Sequence, residues 1–379
     1  MANKKKIIVL CFSMFILVVF VVCSKNGTQL ASSNIPSSLS IVDDGDFIIE
    51  EKSFISDGML KITNGEDGKK KRYGYLDTTG KLVISPIYRA TVDFSEGLAF
   101  VIDDSGKGYY IDKKGQVAIE QVDGKPISFG DLFKDGYAAV STKTNGKSDG
   151  NSYIINLEGE VQFSPDDKGY SYLYIGNELF ERRNHTYTEV NETLDKSGSL
   201  IQSLDANLIF PSKNYNGFYT KDYEHYGIVD KQGYKKLTEP IYQYINEFVD
   251  DFALVVNVNG NVELINSKGN LIIDLSKVYP NIKNDDYQNT FSDGVVALNF
   301  KDDKGSIIID TKGNVIGETN YDLIGTFEEG VAVCKKDGKF GYVGKKGNGL
   351  LEPIYDYVTN YSSGVGFVRK GEKWYRYSN

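Results

Sequence analysis

Cysteine, tryptophan, histidine and methionine are nearly missing from this 379-residue chain, which holds three Cys, one Trp, two His and three Met. Cys11 lies in an apolar leader and Cys23 at its end, so Cys334 has no partner and no intramolecular disulfide framework can form. Cys334 closes the apolar run Val331-Ala332-Val333 and reads as a small core residue. His185 and His225 have no Cys or His neighbour at ligand spacing, which excludes a zinc site. Neither a G-x-S-x-G elbow nor a G-x-x-x-x-G-K-[ST] loop occurs. The acidic turns at 103–106 and 302–305 do not alternate ligands as a calcium loop does, and read as hairpin tips. No cofactor, metal or catalytic constellation is therefore expected. A basic surplus is lacking too. The formal charge is −9, and it becomes −12 without Lys4, Lys5 and Lys6 of the leader, which excludes nucleic acid as a partner.

What is abundant is Tyr (27), Phe (20) and Gly (39), a composition that favours strands and turns. Phe94 to Gly115 shows the unit. A Phe-x-x-Gly entry leads into Leu98-Ala99-Phe100-Val101, a Gly-bearing turn follows, and Tyr109-Tyr110-Ile111 ends in Asp112-Lys113-Lys114-Gly115. Two such runs joined by a turn predict a β-hairpin. The closing Asp/Asn-x-x-Gly recurs with its glycine at 80, 115, 159, 198, 233, 269 and 313, and a copy ending in Gly347 has lost the Asp; the period is about 38 residues. The entry recurs at Phe133-Lys134-Asp135-Gly136, Phe291-Ser292-Asp293-Gly294 and Phe327-Glu328-Glu329-Gly330, and Pro-Ile-Tyr recurs at 86, 240 and 353 with the same period. Turn chemistry alone accounts for these markers: Asp or Asn bonds the turn's own backbone, and Gly takes positive φ.

The units resemble the WG-repeat family of bacterial proteins. The resemblance rests on Phe94 to Val101, Tyr73-Gly74-Tyr75-Leu76-Asp77, Tyr226-Gly227-Ile228-Val229-Asp230, Phe340-Gly341-Tyr342-Val343, and Gly80-Lys81-Leu82-Val83-Ile84-Ser85-Pro86-Ile87-Tyr88. Tyr73, Tyr226 and Phe340 stand where the family has Trp, and only Trp374 survives. The family carries no common catalytic residue, so the resemblance implies no enzyme activity. The expected fold is all-β: about eight or nine tandem β-meander units in a propeller-like array, with an open, curved β-solenoid as the alternative.

Lys4, Lys5 and Lys6 precede an uncharged run from Ile7 to Val22, the pattern of an export signal. Cys23 follows, which resembles a bacterial lipoprotein signal and implies lipidation at Cys23. Cleavage after Ser24 and retention as an uncleaved anchor are the alternatives. The predicted organisation is a signal or anchor at 1–23, a polar linker at 24–45 and the repeat domain at 46–379. The body is expected outside the cytoplasmic membrane, attached through the N-terminal segment or secreted.

Residues 160–225 keep the period but lose the Phe-x-x-Gly entries, and carry Tyr170, Tyr172, Tyr174, Phe180, Arg182, Arg183 and His185 instead. Aromatic residues with Arg are enriched at binding hot spots. Tyr170, Tyr172, Tyr174, Arg182 and Arg183 are therefore the candidate ligand contacts, with packing on a strand face as the competing account. The expected function is a membrane-tethered, extracytoplasmic scaffold that binds protein, peptide or cell-wall glycan. A cell-envelope carbohydrate-active hydrolase is the alternative.

Overall fold

The computed structural model describes residues 38–42, 47–50, 53–65, 70–144, 147–164, 170–176, 178–184, 192–201, 207–209, 215–219, 225–230, 236–283, 290–302 and 305–379. Cys23, His185 and the leader lie outside these residues. Among them the strands form seven antiparallel sheets. Two of these sheets each hold two repeat units joined edge to edge, through Gly108↔Ile127 and Tyr226↔Tyr242. Nine units result, numbered here in chain order. Unit 1 is built on Ile55–Ser56, Met59–Thr63, Tyr73–Asp77 and Leu82–Tyr88, and unit 2 on Ala90–Thr91, Leu98–Ile102, Gly108–Asp112 and Val117–Ile119. Unit 3 comprises Lys125–Gly130, Tyr137–Thr144, Lys147–Asn156 and Val161–Phe163, and unit 4 Tyr170–Gly176, Leu179–Asn184, Glu192–Leu194 and Leu200–Ile201. Unit 6 comprises Tyr242–Ile245, Phe252–Asn257, Val262–Asn266 and Leu271–Asp274. Unit 8 runs through Leu323–Glu328, Val331–Lys336, Lys339–Gly344 and Gly349–Tyr355. Unit 9 ends with Gly366–Lys370 and Lys373–Tyr377. Among the described residues the helical content is a single turn, Leu275–Val278, capped by the Asp274 carboxylate.

The WG glycine has a packing reason. In units 1 and 8 the fourth strand bulges at Pro86 and Pro353 and presses its backbone onto the third strand. A Cβ on Gly74 would lie 2.3 Å from the Ile84 carbonyl oxygen, and one on Gly341 2.3 Å from that of Leu351. The tyrosine that follows each glycine is buried and reaches across to the next unit. The Tyr75 hydroxyl donates to the Val92 carbonyl at 2.6 Å and the Tyr342 hydroxyl to that of Thr359 at 3.0 Å. The Tyr110 hydroxyl of unit 2 does the same to Asp131 at 2.8 Å.

The entry turns form a second chain of contacts. The third residue of each entry takes positive φ, as at Asp57, Glu96, Asp135, Asp293 and Glu329. Its carboxylate accepts from the entry turn of the following unit. Gly97 N–H donates to Asp57 at 2.6 Å, Gly136 N–H to Glu96 at 2.8 Å, and Gly330 N–H to Asp293 at 2.5 Å. These charge-assisted bonds tie together turns about 40 residues apart. Side chains of neighbouring units share apolar clusters. Ala99 and Val101 pack with Tyr75 and Ile84, and Tyr361 and Val368 pack with Tyr342 and Leu351.

The last unit packs on the first, so the array is a closed, propeller-like ring and not the open solenoid. Val365 and Phe367 join Ile55, Leu60 and Leu76 in one cluster. Ile55 N–H donates to Asn360 Oδ1 at 2.7 Å, and Asn360 Nδ2 donates to the Ile55 carbonyl at 3.0 Å. Leu39–Ile41 supplies the outer strand of unit 9, pairing Leu39 with Tyr377 and Ile41 with Tyr375. This strand lies within the stretch that the polar composition assigned to the linker. Three residues alternating beside many serines are too short a signal, and only the exposed edge of Lys373–Tyr377 gives them a partner.

Candidate functional site

A cavity of about 410 Å³ opens where units 2, 3 and 4 meet. It is lined by the 131–134 segment and Tyr137 of unit 3, Leu173 and Tyr174 of unit 4, and Ser95 of unit 2. The 131–134 segment is the approach to the entry turn of unit 3, fixed at its start by Asp131 N–H donating to Ala139 O at 2.9 Å. Ser95 Oγ donates to the Phe133 carbonyl at 2.6 Å and pins the segment to unit 2. Small residues on the second strand, Ala138 and Ala139, leave the room that the groove occupies.

Two side chains distinguish this segment from its counterparts. Val92, Asp131, Asn246 and Thr359 share a register, each donating its N–H to the second strand of its unit. Of these four, only unit 3 has a carboxylate there. No hydrogen bond or ion pair reaches the Asp131 carboxylate among the described residues, and burial pushes its pKa above the usual aspartate range. The next position holds Asp93 in unit 2, paired with Lys61 Nζ at 2.9 Å. In unit 9 it holds Asn360, which ties Ile55 to Glu328. In unit 3 it holds Leu132, which is 46% exposed although apolar. Leu132 thus stands where units 2 and 9 make inter-unit contacts, and beside it lies an uncompensated carboxylate.

Tyr174 lines the groove and also repairs the turn chain. Unit 4 has Glu178 at positive φ where other entries have Gly. The Asp135 carboxylate accepts from the Tyr174 hydroxyl at 2.9 Å, and that hydroxyl accepts from Glu178 N–H at 3.1 Å. A phenol is inserted where other units bond directly. Burial, together with the Asp135 carboxylate, holds the Tyr174 phenol well above its usual range, so it remains a donor. The Tyr137 and Tyr174 rings lie 5.1 Å apart and both pack on Phe180.

The other sequence candidates sit differently. Tyr172 is buried and stacks on Phe163 at 5.6 Å, inside the cluster between units 3 and 4. Arg182 Nε donates to Glu192 Oε2 at 2.6 Å. Tyr170 and Arg183 are backbone partners of Asn184 and Ser171 on the hairpin of unit 4. Among the candidates whose side chains are described, Tyr174 lines the groove and Tyr172 and Arg182 do not; the side chains of Tyr170 and Arg183 lie outside the described structure. Sequence reasoning missed Asp131, Leu132, Lys134 and Tyr137. Setting Asp131-Leu132-Phe133 against Val92-Asp93-Phe94 and Asn246-Glu247-Phe248 exposes the change of character. Cys334 is buried, and burial first of all pushes its thiol up to about 12, which leaves it an unreactive core residue. Among the described residues no group of three or more His, Cys, Asp or Glu could hold a metal ion, and no helix is long and apolar enough to cross a membrane.

Stretches 73–105, 226–261, 308–340 and 340–374 match the sequence profile of the WG containing repeat. The chain is a WG-repeat protein. The matched stretches flank 106–225, the part of this WG-repeat protein that holds most of the groove. No curated protein matches the chain. Among solved structures, a eukaryotic initiation factor is similar at 12% identity, over 83% of this chain and 90% of that one, with a TM-score of 0.50. BamB from Moraxella catarrhalis is similar at 11% identity, over 79% and 94%, with a TM-score of 0.39. AztD from Citrobacter koseri is similar at 15% identity, over 74% and 85%, with a TM-score of 0.37. At these identities the likeness to the initiation factor is one of fold alone.

Proposed function

We propose that this WG-repeat protein is a binding scaffold, held on the outer side of the cytoplasmic membrane by its N-terminal segment. Its ligand is a protein, a peptide or a cell-envelope glycan, taken at the groove between units 3 and 4. The observation that carries this reading is Leu132, exposed and apolar beside the unpaired Asp131, at a register where other units place side chains that hold the ring together. A groove of this size with an apolar wall and few polar groups has the character of a ligand pocket. Export is supported by the leader's charge and apolar run. Hydrolysis of a glycoside would ordinarily need two facing carboxyl groups, and the described lining supplies Asp131 alone.

The test is a binding panel of envelope polysaccharide fragments and peptides, with Leu132→Glu as the groove variant and Ile354→Glu, exposed on unit 8, as the control. Leu132→Glu should abolish binding and Ile354→Glu should preserve it. Equal binding by both variants would remove the groove from the reading. Turnover of a polysaccharide abolished by Asp131→Asn would replace the scaffold with an enzyme. Fusing residues 1–30 to a reporter tests export, and retention in the cytoplasm would overturn it.

A further inference from the structure

We infer that the groove takes a cationic side chain, the ammonium of a lysine or the guanidinium of an arginine carried on a peptide, with the Asp131 carboxylate as its counter-ion. This rests on the groove being the ligand site, as proposed above, and assigns the chemistry of what enters it. A half-buried carboxylate gives up hydration, and that loss is recovered only when a donor or a cation meets it. The ring supplies neither to Asp131 among the described residues. It does not need the charge for folding either, because Val92, Asn246 and Thr359 hold the same register without one. At the neighbouring seam Lys61 of unit 1 answers Asp93 of unit 2. The residue in the register of Lys61 is Phe100 in unit 2, so unit 2 offers no lysine at the place from which unit 1 answers Asp93.

The surroundings favour the same sign. Glu96, Asp135 and Glu178 stand on the entry turns of units 2, 3 and 4. Glu178 is neutralised by Lys196 at 3.0 Å, and among the described lining residues Lys134 is the one basic side chain. The balance around the mouth is negative and would steer a cation inward. Tyr137 and Tyr174 line the groove, and aromatic rings attract a cation that reaches them. Leu132, Leu173 and Ala139 give an apolar wall for the methylene stem of a long basic side chain. A neutral sugar would bring hydroxyl donors to Asp131 but no charge, and would gain nothing from the acidic surroundings, so the arrangement favours a basic peptide over a glycan.

The experiment uses the full chain in detergent and three labelled hexapeptides, alternating Arg–Leu, Ser–Leu and Glu–Leu, read by fluorescence anisotropy. The Arg–Leu peptide should bind at least about tenfold tighter than the Ser–Leu peptide, since a charge partner removed from a desolvated pair has effects of this order or more. Asp131→Asn should erase that preference, and Asp103→Asn, at the opposite end of the strands, should leave it. Raising salt should reduce the preference only in part, because the pair is half-buried. Three peptides binding alike, or a preference that survives Asp131→Asn, would overturn the inference. If Leu132→Ala then weakens all three equally, the groove remains the site and only its charge assignment falls. If Leu132→Ala weakens none, the groove reading falls as well. A wall-glycan fragment bound through Leu132 while no peptide binds would reject the cation and keep the scaffold.

Discussion

The seam between units 8 and 9 and the seam between units 3 and 4 follow one plan with different outcomes. At the first, the Glu329 carboxylate accepts from Ser363 and Gly364 N–H at 2.7 and 2.8 Å, the buried Tyr342 hydroxyl caps Thr359, and Asn360 holds Glu328. These polar groups are all spent on the ring. At the second, a phenol replaces the direct bond between turns, and Leu132 and Asp131 face a cavity. A closed ring of similar units distributes its stability over many like contacts. One seam can therefore give up several of them and still be held in register by its neighbours. That surplus is the physical room in which a binding site can arise.

The comparison can be broken most forcefully at the WG glycine. Gly341→Ala places a methyl group against the Leu351 carbonyl and should cost about 3 kcal/mol or more, seen as a fall in the denaturation midpoint. Glu192 occupies that register in unit 4, paired with Arg182 across the strands, and Glu192→Ala should cost no more than about 1 kcal/mol. Equal losses would mean that the irregular unit is as tightly specified as the regular one. Next in size is Gly115→Val. Gly115 has φ +78, so the variant should lose about 1–3 kcal/mol. At equal concentrations of folded protein it should bind as wild type, and a persistent binding defect would place the closing turns in the site.

A smaller effect sharpens the role of the turn chain. Glu329→Ala removes two bonds to backbone N–H groups and should cost about 1–2 kcal/mol in thermal unfolding. Tyr174→Phe, which breaks the relay at unit 4, should cost about 1 kcal/mol. The smallest effect has the opposite sign. Burial raises the Asp131 pKa in the folded ring above its unfolded value, so ionising it opposes folding. The stability associated with the protonated acid is full below the ordinary aspartate range and is lost as pH rises through the raised folded value. Asp131→Asn should therefore raise the melting temperature slightly at pH 7 and change nothing in strong acid. A lower melting temperature at pH 7 would show that the carboxylate has a partner within the ring.

Most of the ring was legible in the sequence because its markers are local. Phe-x-x-Gly and Asp-x-x-Gly specify turns through the residues that form them, and their period of about 38 residues fixes the unit. The contacts between units were not legible, since Asp57 meets Gly97 and Tyr75 meets Val92 only after two units are folded side by side. The same reason explains the mixed outcome for the aromatic stretch. Tyr172 and Tyr174 are two residues apart and of one type, yet the first is buried in the cluster between units 3 and 4 while the second packs against that cluster and also lines the groove. The entry that seemed lost in 160–225 persists as Ile175-Gly176 followed by Glu178 at positive φ, disguised because the aromatic residue and the last glycine have both been replaced.

The central claim is that one seam of the ring has been given over to a ligand, and site-directed photo-crosslinking tests it most directly. A photoreactive residue is placed in turn at Leu132, at Glu247 in the same register of unit 6, and at Leu271, exposed on the fourth strand of unit 6. With intact cells, or with the Arg–Leu peptide, the account predicts a crosslinked product from position 132 and none above background from 247 or 271. Crosslinking of equal yield from all three positions, or from 271 without 132, would contradict it.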